Sequence, residues 1–481
     1  MAKREKSTFE RLTSGRLNRK QRRELQRRLY SDDPGLEVVH RNAAGIDVGN
    51  ASHYVAVPPG RDPEPVREFG SWTADLEKMA DWLQSCGIET VAMQSTGVYW
   101  MALYDVLEKR GLGVFLVNAR HTKNLPGRKS DVQESQWLMK LHTYGLLRDS
   151  FRLPEEIRAV RTVWRLHDQH VKEAGRCVQH MQKALTKMNV QLANVISDVS
   201  GATGQAIIGA ILGGERDPYA LAALRDRRIQ ASEEEIARSL EGNWQPDVLF
   251  ELQQAVEAYG FFQKQMAACD QQLEKYLAAL PTRTMAQKAE GEAGAMAEDA
   301  PVWKKKTGKG KGNAPQFDLR AELERICGVD LTTIDGIDVM TAQTILAELG
   351  TDMSGWKTEA HFVSWMGLTP NREITGGKVI RQPPRRVNNW AGRALRMAAS
   401  TLIRSESYLG AKYRSLRARL GAPKAVKAMA RHLACLVYRM LTHGQAWVDR
   451  GTQAFERKNA ERQLAMLQRK ATALGWKLVA A

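Results

Sequence analysis

The sequence predicts a multidomain chain: an α/β domain with a mixed sheet, then a long helical region, then a second domain that is mainly helical. Residues 41–150 alternate short apolar runs of strand length with amphipathic runs of helix length. Residues 151–280 keep a helical apolar period with few helix breakers. Residues 281–318 are too rich in small and charged residues to build a core. They predict a flexible linker before the second folded unit at 319–445.

The α/β domain consists of five predicted strands and three predicted helices. The strands are Gly45–Val48, His53–Val57, Val66–Trp72, Thr90–Gln94 and Val114–Asn118, and the helices are Thr73–Ser85, Trp100–Lys109 and Asp131–Gly145. In the last helix Trp137, Leu138 and Leu141 are predicted to face inward. Three early antiparallel strands followed by strand–helix units imply a mixed sheet covered by helices. RNase H-like nucleases use this order of elements.

The helical middle contains two long periodic runs, Leu166–Leu192 and Val248–Leu280. They predict an antiparallel hairpin or a coiled coil, which serves in a basic protein as a dimer arm or as a spacer. At the start of the second domain, Ile334–Asp338 fits a helix-hairpin-helix, in which Gly336 lets backbone N–H groups approach a DNA phosphate. An ordinary turn between two helices gives the same pattern.

Both ends of the chain are basic. Residues 1–40 predict an arm that is a short helix, a disordered segment on nucleic acid, or a solvated tail. Residues 446–481 predict a peripheral basic helix. Over the whole chain the formal net charge is +17, and such an excess of cations points to a polyanionic partner.

Composition also limits the class of protein and its compartment. No run approaches the ~20 apolar residues of a transmembrane helix, and the first residues lack the apolar stretch of a secretory signal. The five cysteines are scattered without a CxxC pair. This spacing predicts buried thiols in a reducing cytoplasm rather than disulfides or structural zinc.

A set of polar residues predicts a divalent-metal site. Asp47 ends the first predicted strand, and Asp131 and Glu134 lie three apart on a helix, so both point to one face. Carboxylates that converge from a strand and a helix suit a divalent cation in phosphodiester chemistry. An RNase H-like site would have a further acid at the end of the fourth strand, but Gln94 stands there and offers an oxygen ligand without charge, while Glu89 lies on the opposite pleat face. Alternatively, Asp47 is a turn residue and the helical acids are a solvated helix start.

A second set surrounds Thr375, which stands beside the Gly376–Gly377 turn. A hydroxyl group next to a flexible turn among cations can attack a phosphodiester and hold the resulting phosphate. The alternative is a basic loop that contacts DNA without a covalent role. The residues predicted to bind nucleic acid in the two domains are Lys123, Arg128, Lys129, Gly336, Arg372, Lys378, Arg381, Arg385, Arg386, Arg393 and Arg396.

Together these segments resemble the DEDD-type insertion-sequence transposases, a group described as bridge-RNA-guided recombinases. In the first domain the resemblance rests on Gly45–Gly49, Met93–Trp100, Asn124–Asp131, Gln136–Leu138 and His142–Leu147. In the second domain it rests on Ile334–Ile337, Phe362–Pro370, Ile374–Lys378 and Ala394–Ala399. The resemblance covers residues 41–150 and 319–445 well and the helical middle more loosely.

This resemblance implies a RuvC-like N-terminal domain, a coiled-coil segment and a C-terminal transposase domain, at work in the bacterial cytoplasm or nucleoid. In such proteins four acids bind Mg²⁺, and a serine of the second domain attacks DNA and forms a covalent phosphoserine link. The two half-sites meet in a composite site between protomers, so a dimer or a tetramer is expected. A structured non-coding RNA, the bridge RNA, pairs with donor and target DNA.

The sequence departs from that pattern at three catalytic positions. Gln94 stands at the second acid, Thr375 stands at the serine nucleophile, and Glu134 stands at the fourth acid, where aspartate is usual. The first hypothesis is a transposase or recombinase in which Asp47, Gln94, Asp131 and Glu134 hold Mg²⁺ and Thr375 attacks DNA. The alternatives are a catalytically impaired DNA- and RNA-binding assembly protein of the same architecture, or a junction nuclease that uses water.

Overall fold

The computed structural model describes a subset of the chain. The described residues are 24, 28, 35–95, 97–118, 130–284, 314–370, 373–375, 378–381, 389–444, 457, 460, 461 and 464–476. The chain divides into two compact units, Met1–Arg152 and Leu153–Ala481. Most of the predicted N-terminal arm and of the predicted linker lies outside the described residues, so the domain boundaries drawn there remain predictions. In the described part, no helix is long and apolar enough to cross a membrane.

The first unit is a five-stranded mixed sheet with helices on both faces. Its strands are β1 (Ala43–Val48), β2 (Ser52–Ala56), β3 (Val66–Gly70), β4 (Thr90–Gln94) and β5 (Gly113–Val117), and its helices are α1 (Thr73–Ser85), α2 (Trp100–Lys109) and α3 (Asp131–Thr143). The strand order is β3-β2-β1-β4-β5. The first three strands are antiparallel neighbours, while β4 runs parallel to both β1 and β5. The predicted mixed α/β sheet is therefore confirmed.

Four predicted elements extend past the observed end, the strands predicted to end at Val57 and Asn118 by one residue and two others by two residues. The two larger differences each have a local reason. Strand β3 ends at Gly70 because the helix begins directly after it: Asp75 and Leu76 donate their N–H groups to Trp72 O, and Trp72 is the N-cap of α1 with 78% of its surface exposed. Helix α3 ends at Thr143 because Gly145 takes a left-handed φ of +62°. Within that helix Leu138 and Leu141 are buried as predicted, whereas Trp137 is only half-buried.

The two faces of β1 meet different helices. Ala44, Ile46 and Val48 point into an apolar core shared with α1 and α2. On the other face α3 lies directly across β1, and Gly45 makes this contact possible. A Cβ atom at Gly45 would overlap the backbone of Ser135 and Met139 more closely than any non-bonded contact allows. The absence of a side chain at Gly45 thus brings the start of α3 to the carboxyl end of β1.

We expect Gly45→Ala to separate α3 from the sheet and to lower the free energy of unfolding of the first unit by at least about 3 kcal/mol, because backbone atoms cannot move aside as a side chain can. Gly113→Ala in β5 is the matched control, since a Cβ there would meet its nearest neighbour, Thr90 Oγ1, at an ordinary 3.5 Å. Thermal unfolding of the two variants checks this. Equal melting temperatures would contradict the tight packing of β1 on α3.

The second unit begins with two long helices that pack along each other, α4 (Glu155–Lys187) and α9 (Pro246–Ala279). Lys187 of α4 pairs with Glu251, whereas His167 lies against Asp270, so the two helices run antiparallel. The predicted antiparallel hairpin is confirmed, but α4 starts earlier than Leu166 and ends at Lys187, before the predicted Leu192. Four short helices connect α4 to α9 in the sequence, lie at the Lys187 end of the hairpin and share its core: α5 (Leu192–Val195), α6 (Ala202–Leu212), α7 (Pro218–Ala222) and α8 (Glu233–Ser239).

The remainder of the second unit is mainly helical, as predicted. Its helices are α10 (Leu319–Cys327), α11 (Val339–Leu349), α12 (Glu359–Trp365), α13 (Trp390–Thr401), α14 (Tyr408–Leu420) and α15 (Ala422–His443), and β6 (Glu373–Thr375) and β7 (Lys378–Arg381) form a small hairpin. In the predicted helix-hairpin-helix, Ile334 and Ile337 are buried. Gly336 has φ +89° and passes so close to α13 that a Cβ atom would lie 2.8 Å from Ala398 O. Packing alone thus accounts for this glycine, and its contact with DNA stays a prediction.

The cysteines bear out the predicted buried thiols. All five are free; four are buried and Cys435 is half-buried. Burial raises the pKa of the Cys327 thiol to about 12. A thiol with so high a pKa is unreactive at neutral pH, since the thiolate is the nucleophilic form.

A buried acid between α4 and α9 makes the stability of the second unit depend on pH. Asp270 accepts a hydrogen bond from the backbone N–H of Gln316, while its Oδ1 lies 3.4 Å from His167 Nε2. Burial raises the pKa of Asp270 to about 6 and lowers that of His167. Because the folded pKa of this carboxyl lies above its unfolded value of 3.8, stability is lost as the pH rises from that value through about 6.

We therefore expect Asp270→Asn, which stays neutral, to be more stable than the wild type by up to about 3 kcal/mol above pH 6, with the gain shrinking towards pH 4. Melting temperatures measured from pH 4 to pH 8 test this. Asp226→Asn is the control, because hydrogen bonds from Arg228 hold the pKa of Asp226 at about 2 and its loss brings no gain at high pH. A destabilised Asp270→Asn variant at pH 8 would show that the ionised carboxylate is needed.

Candidate active site

The polar residues predicted to bind a metal meet at the carboxyl ends of β1 and β4. These strands are parallel, and Ile46 pairs with Met93 just before Asp47 and Gln94. Asp47 lies on the same side of β1 as Gly45, which faces α3. Gln94 lies on the same side of β4 as Thr90, whose Oγ1 is 2.9 Å from His142 Nε2 of α3. Asp47 and Gln94 are thus neighbours on the face that α3 covers.

The first turn of α3 carries the two helical acids to this place. Ser130 caps the helix by accepting a hydrogen bond from Gln133 N at 3.3 Å. Asp131 and Glu134 then lie in the first turn, where the helix dipole favours negative charge. Gln94, only 4% exposed, donates from Nε2 to Glu134 Oε1 at 2.6 Å. This hydrogen bond joins a strand residue and a helix residue of the predicted set.

Two residues that the sequence analysis did not select lie beside Asp47 on the same face of the sheet. Tyr54 pairs with Asp47 across β1 and β2, and Glu68 pairs with Tyr54 across β2 and β3. The carboxylate of Glu68 accepts hydrogen bonds from the hydroxyls of Ser52 and Tyr54, and both bonds lower its pKa. The pKa of Tyr54 is raised, first by its hydrogen bond to Glu68, then by burial, and further by the charges of Glu68 and Asp131.

Glu89 is not part of this set. It precedes β4 and accepts a hydrogen bond from Asn42 Nδ2 at 2.9 Å, before the start of β1. It therefore lies at the opposite end of the sheet from Asp47 and Gln94, and it cannot replace the missing acid.

Among the described residues, no group of three or more His, Cys, Asp and Glu side chains is arranged to hold a metal ion. Asp47, Gln94, Asp131 and Glu134 gather at one end of the sheet without forming a closed cage. Their ligand atoms are nevertheless three carboxylates and one amide oxygen, which are the hard donors that Mg²⁺ prefers. These donor atoms are of the type that fits Mg²⁺. One of them, Glu134 Oε1, accepts the hydrogen bond from Gln94 Nε2.

The second predicted set lies in the other compact unit. Thr375 is the last residue of β6 and pairs with Lys378, the first residue of the antiparallel strand β7. The predicted turn Gly376–Gly377 lies outside the described residues. Arg381 ends β7 and is exposed. Arg393 is exposed on α13, and Arg396 is half-buried there, with its pKa lowered by burial and by the charge of Arg393. The other cations predicted to bind nucleic acid lie outside the described residues: Lys123, Arg128, Lys129, Arg372, Arg385 and Arg386.

Two protein-family models match the chain. A transposase model of the DEDD, IS110 type matches residues 44–190, and a model for transposases of the IS116/IS110/IS902 family matches residues 330–414. The first match includes the strand and helix acids, and the second includes Thr375, Lys378 and Gly336. A search of curated proteins gave no match.

Proposed function

The chain belongs to the IS110-type transposases, and from this premise we propose that it cuts and rejoins donor and target DNA through a Mg²⁺-dependent covalent intermediate guided by a structured non-coding RNA. The observation that carries the proposal is the contact between Gln94 and Glu134 beside Asp47, because it brings together ligands that are far apart in the sequence.

Asp47, Asp131, Glu134 and the amide oxygen of Gln94 would hold the metal. Bound Mg²⁺ supplies Lewis acidity, which polarises a phosphate oxygen and offsets the charge that develops on it. Around these ligands, the Gln94 amide orients Glu134. Tyr54 is hydrogen-bonded to Glu68 and lies beside Asp47, and the charge of Asp131 contributes to the raised pKa of Tyr54. We assign Tyr54 and Glu68 the role of positioning residues for these carboxylates.

In this proposal the hydroxyl oxygen of Thr375 attacks the scissile phosphorus. A new P–O bond forms to Thr375, one of the two sugar–oxygen bonds of the phosphodiester breaks, and the leaving sugar oxygen takes up a proton while the threonine proton passes to solvent. Reversal of this step by another sugar hydroxyl rejoins DNA without ATP, because one phosphodiester bond is exchanged for another. Lys378, Arg381 and the cations listed as nucleic-acid contacts would bind the flanking phosphates.

Bridge RNA and an assembly of two or four protomers complete the proposal. Guidance by RNA would place most of the sequence choice in base pairing, and the chain would then mainly bind phosphates. The net charge of +17 supports contact with nucleic acid.

A denaturing assay separates this proposal from its alternatives. The protein, with the RNA that co-purifies with it, is incubated with Mg²⁺ and end-labelled DNA that carries the ends of its element. A Mg²⁺-dependent labelled band that stays with the protein after denaturation supports the covalent recombinase. Nicked DNA without such a band would indicate the water-using junction nuclease, and binding without cleavage would indicate the impaired assembly protein.

We expect Gln94→Glu to make the melting temperature of the first unit depend on Mg²⁺. The substitution replaces the 2.6 Å amide–carboxylate bond by two facing carboxylates, which cannot both stay ionised unless a cation lies between them. Without metal the variant should melt below the wild type. With millimolar Mg²⁺ it should recover several degrees, at about 2–4 °C per kcal/mol for a domain of this size.

Gln133→Glu is the control for this prediction, because Gln133 is exposed in the same turn of α3. That variant should gain no comparable Mg²⁺ response. If Gln94→Glu melts at the same temperature with and without Mg²⁺, these residues do not form a metal site.

A further inference from the structure

Three cations surround one aromatic ring where α13 begins. The guanidinium carbon of Arg165 lies 5.0 Å from the centroid of the Trp390 ring, Lys172 Nζ lies at 5.0 Å, and the guanidinium carbon of Arg393 lies at 5.4 Å. Arg165 and Lys172 come from α4, whereas Arg393 comes from α13. Attraction to the ring offsets part of the repulsion between the three charges.

Two more arginines lie close enough to these cations for their pKa values to be affected. The pKa of Arg161 is lowered by burial and by the charge of Arg165, and the pKa of Arg396 is lowered by burial and by the charge of Arg393. Glu348 binds Arg165 through two hydrogen bonds of 2.7 and 2.8 Å, and Asp168 pairs with Lys172. Within the described part of the chain, neither Arg393 nor Arg396 forms an ion pair. We name Arg161, Arg165, Lys172, Trp390, Arg393 and Arg396 the Trp390 cluster.

Both helices that carry the Trp390 cluster pack against α11. Trp164 Nε1 donates to Thr344 Oγ1 of α11 at 3.0 Å, one residue before Arg165 binds Glu348 of the same helix. These bonds hold the first half of α4 against α11, and α13 packs on α11 as well. The two helices that carry these cations are therefore held in place by the same helix, α11.

We propose that the Trp390 cluster binds the phosphate backbone of duplex DNA. Cations held together with few acids gain most from a ligand of high negative charge density, and two helices can reach more than one phosphate. The half-buried Trp390 ring is flanked by three cations, so it is poorly placed to stack on an unpaired base, which is how single-stranded RNA is usually bound. This step rests on the proposed function, since it takes the anion to be the DNA on which the transposase acts.

The test is a salt titration of DNA binding with the full-length protein. The affinity for a labelled 30-base-pair duplex, a length taken as roughly three helical turns, is measured from low to physiological salt. The double variant Lys172→Ala/Arg393→Ala should bind about tenfold or more weakly. Its plot of log affinity against log salt should be shallower by about 2, because each lost phosphate contact removes about one unit of slope. Both side chains are exposed, and the melting temperature of the variant verifies that it is folded.

Arg176→Ala on the same helix is the matched control, because Arg176 is exposed and pairs with an acid as Lys172 does but is not one of the three cations at the Trp390 ring; its affinity and slope should stay at the wild-type values. Arg393→Lys, which keeps the charge, should also retain binding. An unchanged slope in the double variant overturns the proposal while leaving the transposase function standing. A loss confined to single-stranded RNA of the same sequence also overturns it, because the cluster would then be an RNA surface. A wild-type protein that binds no duplex at any salt would count against the proposed function itself.

Discussion

Thr375→Ala is expected to abolish the covalent protein–DNA adduct while leaving DNA binding intact. The substitution removes the hydroxyl that attacks the phosphorus and changes no charge. Loss of the nucleophile raises the activation free energy of the covalent step far more than loss of a binding contact does. We therefore expect the rate of adduct formation to fall by at least about 10³-fold. The measurement is the yield of labelled DNA that stays with the protein after denaturation, together with DNA affinity in the same samples.

Two further variants make this result specific. Thr375→Ser keeps the hydroxyl and removes the methyl group that crowds the attack, so it should form the adduct at least as fast as the wild type. Ser364→Ala is the control for a different nucleophile, since Ser364 is half-buried on α12 beside the buried Phe362 and Val363; it should retain the adduct. Full strand exchange by Thr375→Ala would refute the covalent role of this residue.

Asp47→Asn is expected to stop DNA cleavage with little effect on stability or on DNA binding. The side chain keeps its shape and loses the charge that a divalent cation requires, at the centre of the row formed by Gln94, Asp47 and Tyr54. We expect the cleavage rate to fall by about 10³-fold or more, which corresponds to about 4 kcal/mol of lost transition-state stabilisation. Single-turnover cleavage at saturating Mg²⁺ measures this change.

Asp81→Asn is the appropriate control for Asp47→Asn. Asp81 is an exposed carboxylate of α1 in the same unit, and it pairs with Arg110. Its loss should leave cleavage unchanged, because exposed ion pairs contribute little to stability and Asp81 lies on a surface helix. Undiminished cleavage by Asp47→Asn would contradict the metal site.

The elements of the first unit could be predicted closely because each carries its own local signal. Thr90–Gln94 and Thr73–Ser85 have the predicted boundaries, since their apolar periods are regular and turns flank them. The acids of α3 could be placed because Ser130 is a recognisable N-cap and because parallel strands end at one edge of the sheet. These are short-range rules that need no knowledge of the tertiary fold.

Tyr54 and Glu68 could not be predicted in the same way. Their place beside Asp47 depends on the register of β1 with β2 and of β2 with β3, and a shift of one residue would turn both side chains to the other face. The register of β1 with β2 is fixed by the turn in which Gly49 N donates to Ser52 O at 3.1 Å. The alternation of polar residues at Ser52 and Tyr54 was the available signal.

The Trp390 cluster was hidden for a different reason. Arg393 and Arg396 could be singled out as cations of the second domain, but Arg165 and Lys172 lie in the helical middle, more than two hundred positions earlier in the chain. Only the packing of α4 and α13 on α11 brings these cations to one ring. Contacts between residues so distant in sequence follow from the tertiary fold and not from a local pattern.

The most direct test of the covalent mechanism is to identify the residue that carries the DNA. The adduct formed by the wild-type protein with Mg²⁺ is digested with protease and nuclease, and the nucleotide-bearing peptide is sequenced by mass spectrometry. We predict a single modified peptide with the nucleotide phosphate on Thr375. A phosphate on any other residue, or Mg²⁺-dependent cleavage products with no nucleotide left on the protein, would contradict the account.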